Sequence, residues 1–406
     1  MQILKPSRVV FTNKTRIIKQ LDKLKNINAN NTRSSIPPPI SDVITVKVAD
    51  EQPINIPIEN IYVKDNYNKL KHMEENIMAK GLDVGTAFLA VAEKGDNNEL
   101  NIRSIRDAFI DLEQGDFVDS MLSQTGVNYI KRNETIYVVG DEAIELSSVF
   151  NKAARRPLAK GVINPKDKES LVIIKILLEK LIGSGSGNIY YSVPAKPVDA
   201  DYDIVYHEGE FKKILGELGY NAEPINEGLA VIYSELEKEN YTGIGISWGA
   251  GMTNVCFSYL AIPIFSFSIS RSGDWIDNEV AQSTNVPISK VCLLKEQKLD
   301  LGSLTDDRVL TALQIVYENL ITYVIKHIKR QFDNSPNLPS LIKPIPIVIS
   351  GGTSMPKGFI EKFTAIWNKY EFPMEVSEIR QCKEPLYAVA KGALRVALAK
   401  ESKVQS

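Results

Sequence analysis

The stretch "GIGISWGAGMTNVCFSY", residues 243–259, places two glycines, Gly249 and Gly251, around Ala250, with Thr253 next and β-forming residues on both sides. A hairpin whose turn lacks side chains lets main-chain N–H groups point at an anion. The same wording occurs earlier in "GLDVGTAFLAVAE", residues 81–93, where Asp83-Val84-Gly85-Thr86 forms the turn. Two such turns facing each other could clamp a triphosphate. Asp83 could hold a hydrated magnesium ion through water, and the Thr86 hydroxyl could reach a phosphate oxygen. A third glycine element, Gly351-Gly352-Thr353, stands between a strand and a helix in "IPIVISGGTSMPKGFIEKF", residues 345–363, where a base or ribose could approach bare backbone.

The rest of the chain sets the context for these turns. At 406 residues it calls for two or three lobes, each with its own core. No apolar run is long enough to cross a bilayer and the N-terminus lacks a signal-peptide pattern, so the cytoplasm is the expected location. The scattered Cys256, Cys292 and Cys382 match neither a disulfide framework nor a zinc spacing, and three histidines make a histidine-rich metal centre improbable. The net charge of −2 hides an asymmetry: residues 1–35 hold eight Lys or Arg against Asp22, a net +7, which leaves about −9 for the remainder.

Along the chain, "TRIIKQLDKLKNI" spaces Ile17, Ile18, Leu21, Leu24 and Ile27 as a basic amphipathic helix. "NANNTRSSIPPPISD" is a linker, and residues 43–63 suggest a hairpin around Glu51-Gln52-Pro53. "NKLKHMEENIMAKG" reads as a helix stopping at Gly81. From Leu82 onward short strands alternate with helices, the α/β pattern, with a long amphipathic helix over about 306–332. The two glycine hairpins each open an α/β half, which suggests an internal duplication.

In combination and in this order, the motifs resemble the actin superfamily, which includes the filament proteins MreB, ParM and MamK, the sugar kinases and the heat-shock chaperone ATPases. "LDVGTA" is similar to its first phosphate loop, "WGAGMTNV" to the second, "INEGLAVIY" and "EPLYAVAKGAL" to the connecting helices, and "ISGGTSMPKGF" to the adenosine loop. "VVGDEAIELSS", "RRPLAKGVINPKDKE", "SGDWIDNEVA" and "CLLKEQKLDLG" point to the filament-forming branch. The resemblance covers residues 81 to about 400. It implies a duplicated, ribonuclease H-like, two-lobed ATPase fold: a basic arm and Pro-rich linker at 1–42, a small extension at 43–80, one lobe from 81–236 and 384–402, and the other from 237–383.

Carried over by position, the resemblance places Asp83, Gly85 and Thr86 against phosphate and magnesium, with Gly249, Gly251 and Thr253 cupping the phosphates from the other side. Lys295 and Glu296 correspond to ribose and base contacts, and Gly351, Gly352, Thr353 and Met355 to the adenosine loop. Glu227 corresponds to the carboxylate that orients the attacking water; Glu223 is a competing alignment, and a helix N-terminal carboxylate favoured by the macrodipole is the bland alternative. The departure is Ser247, which stands where the family carries an aspartate around magnesium. On that reading hydrolysis is weakened, and Ser247→Asp should restore it. Trp248 either covers the site or packs beneath it.

The resulting expectation is an ATP- and Mg2+-binding cytoskeletal protein that forms homopolymers and hydrolyses ATP slowly. A hydrolysis-impaired nucleotide-binding scaffold is the alternative, and a small-molecule kinase using Asp274 or Asp277 as base is a further one. A chaperone would need a peptide-binding domain after "AKGAL". Residues 1–35 could meet an anionic membrane or an adaptor protein, or serve as a solvated tail. With no aromatic interleaving in the arm, nucleic acid is not an expected partner.

Overall fold

The computed structural model describes residues 79–404, except 96, 98, 126, 128, 336–337 and 339–342, together with two strands near the N-terminus. The basic arm and linker at 1–42 and residues 68–78 of the helix expected to stop at Gly81 lie outside the described residues. The two N-terminal strands, β1 (Val43–Val46) and β2 (Ile54–Pro57), pair antiparallel, as the expected hairpin requires. They belong to a compact unit of their own, Met1–Ile77, and the second unit runs from Met78 to Ser406. Gly81 does not end a helix. It lies inside β3 (Lys80–Val84), where an added Cβ would sit 2.1 Å from the Ala390 carbonyl oxygen.

In the second unit, β3 pairs antiparallel with β4 (Phe88–Lys94), which pairs antiparallel with β5 (Leu100–Arg106). The chain then builds a small three-stranded sheet from β6 (Phe109–Glu113), β7 (Tyr129–Arg132) and β8 (Thr135–Val139), with helices α1 (Asp116–Thr125) and α2 (Asp141–Val149). Ala108, Ile110, Leu122, Ile136, Val138 and Ala143 give this insertion its own core. A two-residue hairpin, β9 (Leu158–Ala159) with β10 (Val162–Ile163), follows, and then α3 (Ser170–Leu181). β11 (Asn188–Val193), α4 (Ile204–Glu217) and β12 (Asn221–Asn226) complete the first sheet in the order β12-β11-β3-β4-β5, with β11 and β12 parallel to β3.

Helix α5 (Glu227–Glu235) leads to the second sheet. Its strands are β13 (Gly243–Trp248), β14 (Thr253–Tyr259) and β15 (Ile262–Ile269), then, after α6 (Gly273–Thr284), α7 (Ile288–Gln297) and α8 (Arg308–Asp333), β16 (Ile345–Ser350) and β17 (Val376–Gln381) on either side of α9 (Phe359–Trp367). The order β15-β14-β13-β16-β17 repeats that of the first sheet, with the same two antiparallel and two parallel steps. This is the duplicated actin-like architecture. β13 and β16 are buried along their whole length, as central strands covered on both faces must be. The expected long helix is α8, and its Val309, Leu313, Leu320, Val324 and Ile328 are buried in the core around the second sheet.

The connecting helices set how the sheets face one another. α5 packs on β13 and β14, while the last helix, α10 (Ala388–Val404), packs on β3 and β11, and the two helices lie side by side. Small residues permit this approach: a Cβ on Gly392 would fall 1.8 Å from the Ala230 carbonyl oxygen, and one on Gly245 would fall 2.3 Å from that of Gly228. The start of α5 is thereby held beside the turn between β13 and β14.

Candidate functional site

The β3–β4 turn closes through Gly85 N–H donating to the Phe88 carbonyl at 3.1 Å, and the β13–β14 turn through Gly249 N–H donating to the Met252 carbonyl at 3.0 Å. These turns meet. A Cβ added to Gly251 would lie 2.4 Å from Thr86 Oγ1 and 2.4 Å from the Gly161 nitrogen. Gly161 belongs to the β9–β10 turn, and its N–H donates to Thr86 Oγ1 at 3.0 Å. With that acceptor role filled, the Thr86 hydroxyl keeps its proton to donate.

The third glycine element is locked to the second. Thr353 Oγ1 donates to the Gly249 carbonyl at 2.7 Å, and Gly351, at φ 91°, lies so close beneath Trp248 that a Cβ would meet the Trp248 carbonyl oxygen at 2.1 Å. Gly273, at the start of α6, abuts both Thr353 and Ala250. Gly352 faces the Leu386 side chain, and Met355 beyond it is half exposed. Trp248 itself is fully buried and meets Phe359 edge-on, with ring centroids 5.2 Å apart. It packs under the site and does not cover it.

Beside the turns sit two acids, Asp83 half-buried and Glu227 buried. Asp83 Oδ1 accepts from Ser192 Oγ at 2.9 Å, and Ser192 Oγ in turn accepts from Val84 N–H at 2.8 Å. Glu227, on the first turn of α5 after its N-cap Asn226, accepts from Ser247 Oγ at 3.0 Å. Burial raises the pKa of Asp83 above the usual carboxylate range. Glu227 is raised further, first by burial and then by the charge of Asp83, with Ser247 and Asn254 working against the shift. Glu223, the competing alignment, lies on β12 at 3.4 Å from Lys212 Nζ and 3.9 Å from Lys400 Nζ. The geometry therefore brings Glu227 to the glycine turns and leaves Glu223 among surface lysines.

Other expected residues are placed differently. Thr253 is fully buried and donates to the Arg271 carbonyl at 3.1 Å, so its hydroxyl is committed to holding the β14 start. Lys295 reaches the Gly273 carbonyl at 3.3 Å but is ion-paired with buried Asp277 at 2.6 Å. Glu296 accepts from Cys292 Sγ within α7 at 3.4 Å. Asp274 is paired with Arg156 at 2.9 Å, so both acids of "SGDWID" already have basic partners.

Two contributors were not anticipated. Ser192 occupies the C-terminal end of β11, where ligands of parallel strands gather. Asn254 follows Thr253, lies directly across the hairpin from Ser247 and is fully buried. Its Oδ1 is fixed by Ala195 N–H at 2.9 Å, while its Nδ2 has no hydrogen-bond partner of regular geometry yet is close enough to favour a charged Glu227. The pairing of 247 with 254 follows from the hairpin register, and that was the signal available.

The donor set fits a hydrated divalent cation better than a directly caged one. Among the described residues no cluster of three metal-ligating side chains exists, whereas Asp83 and Glu227 place two acids near each other without a basic partner. Mg2+ characteristically keeps several waters and takes one or two carboxylates plus phosphate oxygens.

Solved structures share this architecture. The MamK double helical filament aligns with a TM-score of 0.61 at 20% identity, over 79% of this chain and 98% of that one. MreB5 of Spiroplasma citri bound to AMPPNP aligns with a TM-score of 0.60 at 13% identity, over 81% and 98%. A non-polymerising MamK mutant bound to AMPPNP aligns with a TM-score of 0.53 at 21% identity, over 80% and 99%. At these identities the likeness establishes the actin-like fold. No curated protein matches the sequence. Among the described residues no helix is long and apolar enough to cross a membrane. The volactin family model matches residues 78–397, and the chain belongs to that family.

Proposed function

We propose that the cleft binds ATP with Mg2+, hydrolyses it slowly, and that the nucleotide governs assembly of the chain into filaments. The observation that carries this reading is the meeting of Thr86 with Gly251 beside the neighbouring acids Asp83 and Glu227. In this reading the bare turns at Gly85 and Gly249–Gly251 present backbone donors to phosphate oxygens, and Thr86 adds its hydroxyl proton. Asp83, steadied by Ser192, holds the water shell of the cation, which supplies charge neutralisation to the phosphates. Glu227 accepts a hydrogen bond from the attacking water and sets its direction, while Ser247 and the free Asn254 amide hold that carboxylate and its water in place. Gly351–Met355 frames the nucleoside, with Lys295 supporting the nearby α6 terminus. Self-association is supported by the fold shared with a MamK filament. The basic arm is proposed to contact an anionic membrane or an adaptor, and the cytoplasm is the proposed location.

Sedimentation with ATP and Mg2+, with ADP and without nucleotide, alongside phosphate release, tests the reading. Pelleting at micromolar protein is expected with ATP and Mg2+ and largely absent without nucleotide. Flat light scattering across salt and pH, with ATP demonstrably bound, would overturn the filament assignment. Undetectable phosphate release together with retained binding would support a scaffold.

A further inference from the structure

Lys160 and Gly161 form the two-residue turn between β9 and β10, and both are left-handed, at φ 52° and 76°. Such turns favour Asn, Asp or Gly at their first position, so a lysine there is retained at a conformational cost. The turn is wedged between the two phosphate hairpins. Gly161 N–H holds Thr86 Oγ1, and a Cβ on Gly251 would fall 3.0 Å from the Lys160 carbonyl carbon. A Cβ on Gly161 would meet the Met252 side chain at 2.8 Å.

The charges around this turn are unbalanced. Asp83 and Glu227 contribute acids, and a triphosphate would add more negative charge. Nearby cations are already engaged: Arg156 with Asp274, and Lys295 with Asp277. Lys160 is exposed, makes no ion pair among the described residues, and its ammonium lies 5.9 Å from the Tyr202 ring centroid. That distance makes a weak resting place for a compact charge on a flexible stem.

We propose that Lys160 binds the terminal phosphate of the nucleotide, leaving Tyr202 when a triphosphate enters. Its backbone touches the turns where Thr86 and Gly251 converge, in front of Glu227, which is where the phosphate to be cleaved belongs. A diphosphate would lack the group that Lys160 reaches, so the residue discriminates ATP from ADP. This rests on the reading of the cleft as a nucleotide site.

Equilibrium competition against a fluorescent ADP analogue, using the full chain with Mg2+, separates the two claims. Lys160→Met should weaken ATP by about ten- to a hundred-fold, the size of one charge-assisted hydrogen bond, while ADP affinity stays within about twofold. Lys160→Arg should restore most of the ATP affinity, and the wild-type preference for ATP should shrink as salt rises. An equal loss for ATP and ADP would show that the lysine only shapes its turn, and unchanged binding of both would show that it touches neither; either result overturns the proposal. Failure of the wild type to bind ATP or ADP would instead defeat the nucleotide reading of the cleft, and this proposal with it.

Discussion

Ser247 donates its hydroxyl proton to Glu227 Oε2 across 3.0 Å, joining the end of β13 to the first turn of α5. The serine is therefore a support for the acid beside it, and the absence of a carboxylate at 247 limits repulsion in a pocket that already holds Asp83 and Glu227. This reverses the sequence-based expectation for Ser247→Asp. A third acid within hydrogen-bonding distance of Glu227 would keep one of them protonated at neutral pH. Phosphate release by Ser247→Asp should fall about tenfold, and Ser247→Ala should also lose rate, since a hydrogen bond to a charged group is worth about 1.5–3 kcal/mol. A rate increase in Ser247→Asp would show that the magnesium site needs the charge more than Glu227 needs its donor.

Glu227→Gln should separate binding from turnover. Glutamine keeps the size and an acceptor but orients a water poorly, so phosphate release should fall about a hundredfold or more, while ATP affinity changes by less than about fivefold. Single-turnover phosphate release and equilibrium nucleotide binding check the two halves. A matching loss of affinity would place Glu227 in ground-state binding.

The same substitution should stabilise the nucleotide-free protein at alkaline pH. Folding raises the proton affinity of both Asp83 and Glu227 above that of the unfolded chain. Their contribution is thus fully present below the ordinary carboxylate range and is lost as pH rises through the raised values. His207, buried with its pKa lowered to about 4, has the opposite sign, contributing above the ordinary imidazole range and losing that contribution as pH falls. Thermal denaturation from about pH 5 to about pH 9 should show Glu227→Gln gaining on the wild type as pH rises, with His207 effects common to both. Parallel curves would mean that Glu227 ionises freely in the fold.

The glycines and their order were legible because a bare turn between strands has a local signature, and the repeat of Gly85 by Gly249 and Gly251 pointed to duplication before any contact was known. The roles of neighbouring polar residues were not local. Ser247 meets a partner twenty positions earlier, Ser192 reaches Asp83 from a parallel strand, and Asn254 shows its orphan amide only once Ala195 fixes its oxygen. The hydroxyl of Thr253 looked available in the sequence, yet pairing of β14 with β15 brings Arg271 to it. The insertion carrying β6, β7 and β8 has no glycine hairpin like the two phosphate turns, and only the passage "VVGDEAIELSS" at its end stood out. The end of the helix expected before Gly81 was missed because Gly81 serves close packing against α10 and not chain termination.

Two glycine substitutions should damage the protein in different ways, because one glycine keeps the turns together and the other keeps the helices together. Gly251→Ala would drive a methyl group to 2.4 Å from both Thr86 Oγ1 and Gly161 N, outside the main hydrophobic cores. The turns must separate, so nucleotide affinity should fall at least about tenfold while unfolding changes by about 1–3 kcal/mol, the usual cost of overpacking. Gly392→Ala would place its methyl 1.8 Å from the Ala230 carbonyl oxygen, against the backbone of α5, where no flexible side chain can yield. Its cost should exceed about 3 kcal/mol, because α5 and α10 must part along a contact that also positions Glu227. Denaturant unfolding paired with nucleotide titration distinguishes them. Gly251→Ala with intact nucleotide affinity would mean that Thr86 and Gly251 need not meet for binding.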